Sequence, residues 1–252
     1  MSIEVPAESY RRFMGRYSEP LAHEFLAYAA LPDGGRVLDV GCGPGVLTQL
    51  LVDRSGAGPV AAIDPSPPFV EATRARLPDV DVRQGTAEAL PWDDGTFDAA
   101  LAGLVVHFMT DPAGGLREMG RVTRPGGVVA ASVWDHAGNG SPLSLFWQAA
   151  ADLDPGAPHE GDLPGTSAGH LRALAIEAGL GDVEASALTV SVRFTSYDEW
   201  WAPYLLGVGP LGDYVATLSD EHRQRLHDRC RALLPEPPFD QAATAWVVRA
   251  RV

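Results

Sequence analysis

The chain has 252 residues, 46% of them hydrophobic, and a formal net charge of -14, with 33 acidic side chains against 19 basic ones. That length suits a single α/β domain, residues 1–252, with one substantial core and a small cap. The acidity argues against a nucleic-acid partner or an anionic membrane, because phosphate binding needs clustered Lys and Arg; the chain in fact holds no lysine, which rules out a P-loop lysine and Schiff-base chemistry.

In chain order, the first thirty residues hold an amphipathic, aromatic-rich helical segment around Tyr10, Phe13, Arg16 and Tyr17. Val37-Leu38-Asp39-Val40 then reads as a buried strand that stops at Gly41, Gly43 and Gly45, with an apolar helix pattern (Val46, Leu47, Leu50, Leu51) directly behind. Glycines at that spacing let the backbone turn tightly and a ligand approach where no Cβ intervenes, and the helix N-terminus offers unpaired N–H groups. Further strands are predicted over 59–63, ending in Asp64, over 80–84, over 97–102 and, after the turn 121–127, over 128–134. A short helix is predicted over 143–153 and a glycine-terminated one over 171–179. Strands over 183–194 and 243–251 complete the pattern. Between these last two lies a helical insertion, 197–234, with Trp200 and Trp201 at its start. Those tryptophans either line a substrate pocket or form the cap's own core.

Acidic-x-Gly-x-Gly-x-Gly, with Asp39 two residues ahead of Gly41, resembles motif I of the class I S-adenosylmethionine-dependent methyltransferases, the small-molecule group that includes menaquinone and ubiquinone biosynthesis enzymes. Gly85-Thr86-Ala87-Glu88-Ala89-Leu90-Pro91 is similar to that family's Gly-Asp-Ala-Glu-x-Leu-Pro segment, with Thr86 in place of the usual Asp. Arg121-Val122-Thr123-Arg124-Pro125-Gly126-Gly127 resembles a further hallmark. The resemblance covers the chain to about residue 135. It implies a Rossmann-like, seven-stranded, mostly parallel sheet with helices on both faces and a reversed C-terminal hairpin. S-adenosylmethionine is the implied cofactor, S-adenosylhomocysteine the product, and a small molecule the methyl acceptor. A nicotinamide-dependent oxidoreductase would need glycine at position 46, where Val46 stands; a protein that binds S-adenosylmethionine without transferring the methyl is the other alternative.

By the same resemblance, Asp39, Gly41, Cys42 and Gly43 form the cofactor turn, Asp64 and Pro65 meet the ribose, Thr86, Ala87 and Glu88 frame the adenine, and Ala102 ends the fourth strand beside them. Each has a plainer reading too: Asp64 ahead of Pro65 can open a turn, and Glu88 can cap a helix or face solvent. Residues 1–30 would form a lid whose Tyr17 and Arg16 reach the methionine moiety and exclude water. His107, just past the fourth strand, is the candidate general base for a hydroxyl acceptor. Its alternative is a hydrogen bond to backbone or a helix cap. His136, Asp135 and Tyr10 are further candidates. Asp98, at the start of its strand, reads as a structural turn residue. Cys42 and Cys230 give neither a disulfide framework nor metal-ligand spacing, so no metal is expected. Without a signal-like segment or a bilayer-length apolar run, the expected location is the cytoplasm and no membrane partner is predicted.

Overall fold

The computed structural model describes residues 7–252; the first six residues of the predicted lid lie outside them. Helix α1 (Ala7–Ala29) leads into β1 (Val37–Val40), α2 (Val46–Ser55), β2 (Val60–Asp64), α3 (Pro67–Arg76), β3 (Asp81–Gln84) and β4 (Phe97–Gly103). A 3₁₀ turn (Val106–Phe108) precedes α4 (Pro112–Val122) and β5 (Thr123–Trp134). The remainder is α5 (Ser144–Leu153), α6 (His170–Glu177), β6 (Gly181–Phe194), α7 (Tyr197–Trp201), a 3₁₀ segment (Ala202–Leu205), α8 (Gly209–Thr217), α9 (Asp220–Leu233) and β7 (Phe239–Arg251).

The strands form one seven-stranded sheet in the order β3-β2-β1-β4-β5-β7-β6. β1 to β5 pair in parallel, and β7 runs antiparallel to both β5 and β6. β1 is buried along its whole length, as a central parallel strand covered by helices on both faces must be. Its side chains alternate with the pleat: Leu38 and Val40 enter one core layer with Met119 and Leu171, and Val37 enters the opposite layer with Phe25 and Leu51. The strand order reverses between β1 and β4, which opens a crevice at their carboxyl ends. A third apolar cluster, centred on Phe146, Trp200 and Tyr204, lies over that end of the sheet beneath α1.

Two element boundaries differ from the sequence reading by four residues or more. The Arg-Pro-Gly-Gly segment is part of β5, which starts at Thr123: Phe97 pairs with Thr123 and Ala99 with Val128, so residues 124–127 bulge out opposite Asp98 alone. Asp98 anchors the bulge, accepting from the Arg124 guanidinium and, at 2.7 Å, from the Arg36 backbone N–H. β7 begins at Phe239, four residues before the predicted start, because its ladder to β6 continues to Phe239 opposite Phe194, whose rings stack 5.5 Å apart. Among the described residues no helix is long and apolar enough to cross a membrane.

Candidate cofactor and acceptor site

The turn after β1 is built around three glycines with positive φ, Gly41 at 70°, Gly43 at 53° and Gly45 at 82°. Gly41 N and Cys42 N donate to the Ile63 carbonyl at 2.8 and 3.0 Å, folding the turn against the end of β2. A Cβ on Gly41 would collide with the Val105 side chain, whereas a Cβ on Gly43 would meet nothing within 4 Å. The first glycine is therefore demanded by packing and the second keeps open the space above the turn.

Asp39 is almost fully buried and accepts from Thr48 Oγ1 at 2.6 Å. Burial pushes its carboxyl up to about 7, with the nearby Asp64 charge adding to the effect and the Thr48 hydrogen bond opposing it. Asp64 closes the turn from the other side: its Oδ2 accepts from Gly43 N and its Oδ1 from Ser66 N, both at 2.8 Å. Burial raises its pKa, and these two backbone donors hold it back. A carboxylate has about four acceptor sites, so two remain for hydroxyl groups of a ligand. Cys42 is buried and its thiol is pushed well above the usual range, first by burial and then by the two carboxylates. It is a packing residue, not a nucleophile.

Three adjoining cavities run from this turn along the carboxyl edge of the sheet, all of them lined by Gly41. Asp39, Cys42 and Gly43 face the first, Asp64 and Pro65 the second, and Thr86, Ala87 and Glu88 the third. The trough thus gathers every cofactor residue predicted from sequence with two exceptions, the Arg16–Tyr17 pair on α1 and Ala102 on β4. Glu88 also accepts from Thr110 N at 2.8 Å, tying the β3 loop to the loop before α4.

Both exceptions are corrected by the structure. Ala102 is fully buried in the core on β4; the residues that reach the trough are its successors Gly103 and Leu104. Tyr17 sits on the stretch of α1 that packs against the cap, and its hydroxyl donates to Gln241 Oε1 at 2.8 Å. Arg16 is held by Glu199 at 2.8 Å and by the Arg193 carbonyl. The α1 residues that line the trough are Ser18, Leu21, Ala22 and Phe25 and, two turns before Tyr17, Tyr10; the Tyr10 ring meets Phe69 edge-on at 5.4 Å. Burial and the neighbouring Asp64 charge raise its phenol to about 12.

A fourth cavity shares Tyr10, Leu104 and Phe108 with the trough. Leu104 marks the junction with a strained backbone, φ 60°, while its N–H is held by the Ser132 carbonyl and hydroxyl at 2.9 and 3.1 Å; a non-glycine residue in that region persists only where its surroundings impose it. Apolar walls from Phe13, Met14, Trp134 and Leu143 enclose the chamber together with His107, His136 and Glu160. His107 is buried in the 3₁₀ turn after β4, and its ring lies 3.9 Å from Phe108 and 5.7 Å from His136. Burial, then the charge of His136, holds His107 down to about 3; burial alone holds His136 at about 4. Both imidazoles are neutral at physiological pH. Glu160 accepts from Trp147 Nε1 at 2.9 Å, and burial raises its pKa. Asp135 is occupied structurally, accepting from Gly138 N and Trp246 Nε1.

Trp200 and Trp201 do not line this chamber. Trp200 is 1% exposed and donates to Gln241 Oε1, and Trp201 stacks on Phe146 at 6.2 Å. They are the core of the cap, held inward because two large rings in a short helix bury more apolar area against Phe146 and Tyr204 than a cavity wall would offer. What the insertion does lend the chamber is Val208 and Leu211, at the start of α8. Sequence reasoning missed Leu104, Trp134 and Glu160. Leu104 follows β4 and Trp134 ends β5, positions the parallel pattern could have flagged; Glu160, in a Gly- and Pro-rich loop, carries no such signal.

Residues 38–131 match the model of the methyltransferase domain family. Over that stretch the chain is similar to a methyltransferase domain. S-adenosylmethionine is the methyl donor which that family implies. The match ends within β5, so the cap and the C-terminal hairpin lie outside it. An uncharacterized methyltransferase of Mycobacterium tuberculosis is 44% identical over 135 residues, 54% of this chain and 52% of its own. The ubiquinone biosynthesis O-methyltransferase of Methylocella silvestris is 43% identical over 110 residues, 42% of each chain. The chain thus spans about half the length of these curated relatives. Over nearly the whole chain the fold is similar to that of the YcgJ protein of Bacillus subtilis, with TM-score 0.60, 19% identity and coverage of 93% of this chain and 97% of the other.

Proposed function

We propose that the protein transfers the methyl group of S-adenosylmethionine to a small, largely apolar acceptor bound in the chamber beside Tyr10 and Leu104. The observation that carries this reading is the junction itself: a trough containing the methyltransferase motif residues opens, through three shared side chains, onto an apolar chamber with neutral imidazoles. The open space over Gly43 and the free acceptor sites on Asp64 fit an adenosyl ligand that carries a ribose. Asp64 would hold the ribose hydroxyls, Thr86 to Glu88 the adenine edge, and Asp39 with the turn backbone the aminoacyl end.

S-adenosylmethionine supplies an electrophilic methyl on a sulfonium. The chain's contribution is then alignment and exclusion of water, with reacting atoms held at about 3 Å. Tyr10 and Leu104 divide the two compartments and position what meets across them. His107, neutral at physiological pH, is the proposed general base for a hydroxyl acceptor; such proton removal contributes about a hundredfold or more. The M. silvestris relative, named as an O-methyltransferase, supports an oxygen acceptor. A cytoplasmic location accords with two free, buried cysteines.

Titration calorimetry with S-adenosylmethionine, S-adenosylhomocysteine and NADH, followed by an S-adenosylhomocysteine release assay over an acceptor panel, tests the proposal. Binding of both adenosyl compounds, with turnover on at least one apolar hydroxyl compound, is the expected result. Tight NADH binding without adenosyl binding overturns the cofactor assignment, and adenosyl binding without turnover on any acceptor overturns the transferase.

A further inference from the structure

The chamber holds more polar chemistry than the removal of one proton requires. His136 has no hydrogen-bond partner on either ring nitrogen among the described residues, and neither has Nδ1 of His107. Both side chains are more than nine-tenths buried, and buried polar groups in folded proteins are nearly always partnered. Their rings lie 5.7 Å apart, tilted by 55°, and both border the same cavity. Behind His136, Glu160 Oε2 stands 3.8 Å from Nδ1. That is too long for a hydrogen bond, but close enough for the carboxylate to favour the tautomer with the proton on Nδ1, which leaves Nε2 as an acceptor.

From this arrangement, and resting on the methyl-transfer reading above, we infer that the acceptor is an aromatic compound with two hydroxyl groups, one presented to His107 and the other read by His136 under the control of Glu160. A single hydroxyl has one proton to give and so satisfies one imidazole acceptor; satisfying both takes two. Among the described residues Glu160 is the only formally charged side chain bordering the chamber and no arginine faces it, so a carboxylate or phosphate on the acceptor would find no counter-charge there. The neutral state of both imidazoles agrees with a neutral ligand. Walls of Phe13, Phe108 and Trp134 suit a flat apolar ring. His136 is thus a specificity-determining residue and Glu160 a positioning residue that acts through it.

The test is a comparison of 4-propylphenol, 4-propylcatechol, 5-propylresorcinol and 4-butylbenzylamine, titrated into the full chain saturated with S-adenosylhomocysteine so that no turnover intervenes. At least one diol is expected to bind about tenfold more tightly than the phenol, the effect of one further hydrogen bond. His136→Ala should abolish that preference while leaving the affinity for the phenol unchanged, and His136→Asn, which keeps a polar side chain, should restore part of it. Glu160→Gln should lower the preference about threefold. A purely structural role for these residues would weaken phenol and diol alike. Equal binding of phenol and diols, or tighter binding of the amine than of either diol, overturns the inference. Should S-adenosylhomocysteine fail to bind, the cofactor assignment falls, and the same titration on the protein alone still decides the chamber's preference.

Discussion

Two stripes of α1, one marked by Tyr10 and the other by Tyr17, do different work, and so do the two halves of the sheet beneath them. Along Tyr10, Ser18, Ala22 and Phe25 the helix borders a trough whose other residues come from the ends of β1, β2, β3 and β4 and the loops behind them, with hydrogen bonds directed to backbone: Asp64 to Gly43 and Ser66, Glu88 to Thr110. Near Tyr17 it is packed into an aromatic cap whose side chains bind one another. The first region is organised by loop geometry at strand ends, the second by apolar volume. Residues of the same type therefore have opposite roles: a tyrosine over the trough meets a ligand space, and a tyrosine two turns on is mortar.

If the contrast is real, damage to the trough should cost binding and damage to the cap should cost stability. The largest effect is expected for Gly43→Val. Its new side chain points into open space, so the protein should remain folded, with some strain from the left-handed backbone, yet calorimetry should detect no S-adenosylhomocysteine binding. Retained binding would show that the ligand does not pass over the turn. Next, His107→Ala should lower kcat at least about a hundredfold on a hydroxyl acceptor with cofactor affinity intact; an unchanged kcat would leave alignment alone as the mechanism. Asp64→Ala should weaken cofactor binding roughly ten- to a hundredfold through loss of charge-assisted hydrogen bonds, measured alongside a melting curve, because the same substitution removes the carboxylate that accepts from Gly43 N and Ser66 N.

On the cap side, Trp200→Ala should cost about 3–5 kcal/mol of stability, which for a chain this size is a fall in Tm of roughly 10 °C, with S-adenosylhomocysteine affinity unchanged. A weakened cofactor and an intact Tm would erase the distinction between the two regions. The smallest effect belongs to Arg16→Ala. Its ion pair with Glu199 is about one-third exposed on both sides, and such a pair contributes about 0–1 kcal/mol. Calorimetry should find cofactor affinity unaltered; a clear loss would return Arg16 to the lid role inferred from sequence.

The same contrast explains what the sequence could disclose. The glycine turn was legible because backbone that must turn at positive φ constrains residue type: Gly41 and Gly43 declare themselves, and Asp64 follows at the end of the next parallel strand. Asp98 was legible for a similar reason, as the short acidic side chain that pins a bulge. Helical periodicity says only that a side chain faces inward, not what lies there. Tyr10 and Tyr17 both lie on the inward side of α1, and nothing local separates a cavity wall from a core. The ambiguity of Trp200 and Trp201 has the same origin. Ala102 was misplaced by a pleat: one residue along β4 exchanges a core-facing side chain for one at the sheet's edge. Glu160 was invisible because its setting is made by contacts with Trp147 and His136, neither of which its own loop encodes.

Gln241, at the start of β7, has a consequence for how such proteins diversify. Its Oε1 accepts from both Tyr17 and Trp200, and its Nε2 donates to the Pro142 carbonyl at 3.1 Å. One amide thus fastens α1, the cap and the segment after β5 to the hairpin. A chimera that exchanged residues 197–234 alone for another protein's insertion would strand this amide among mismatched neighbours. The transplantable module is the discontinuous set of all four segments, so a change of substrate range by recombination must carry the first helix and the last strand together.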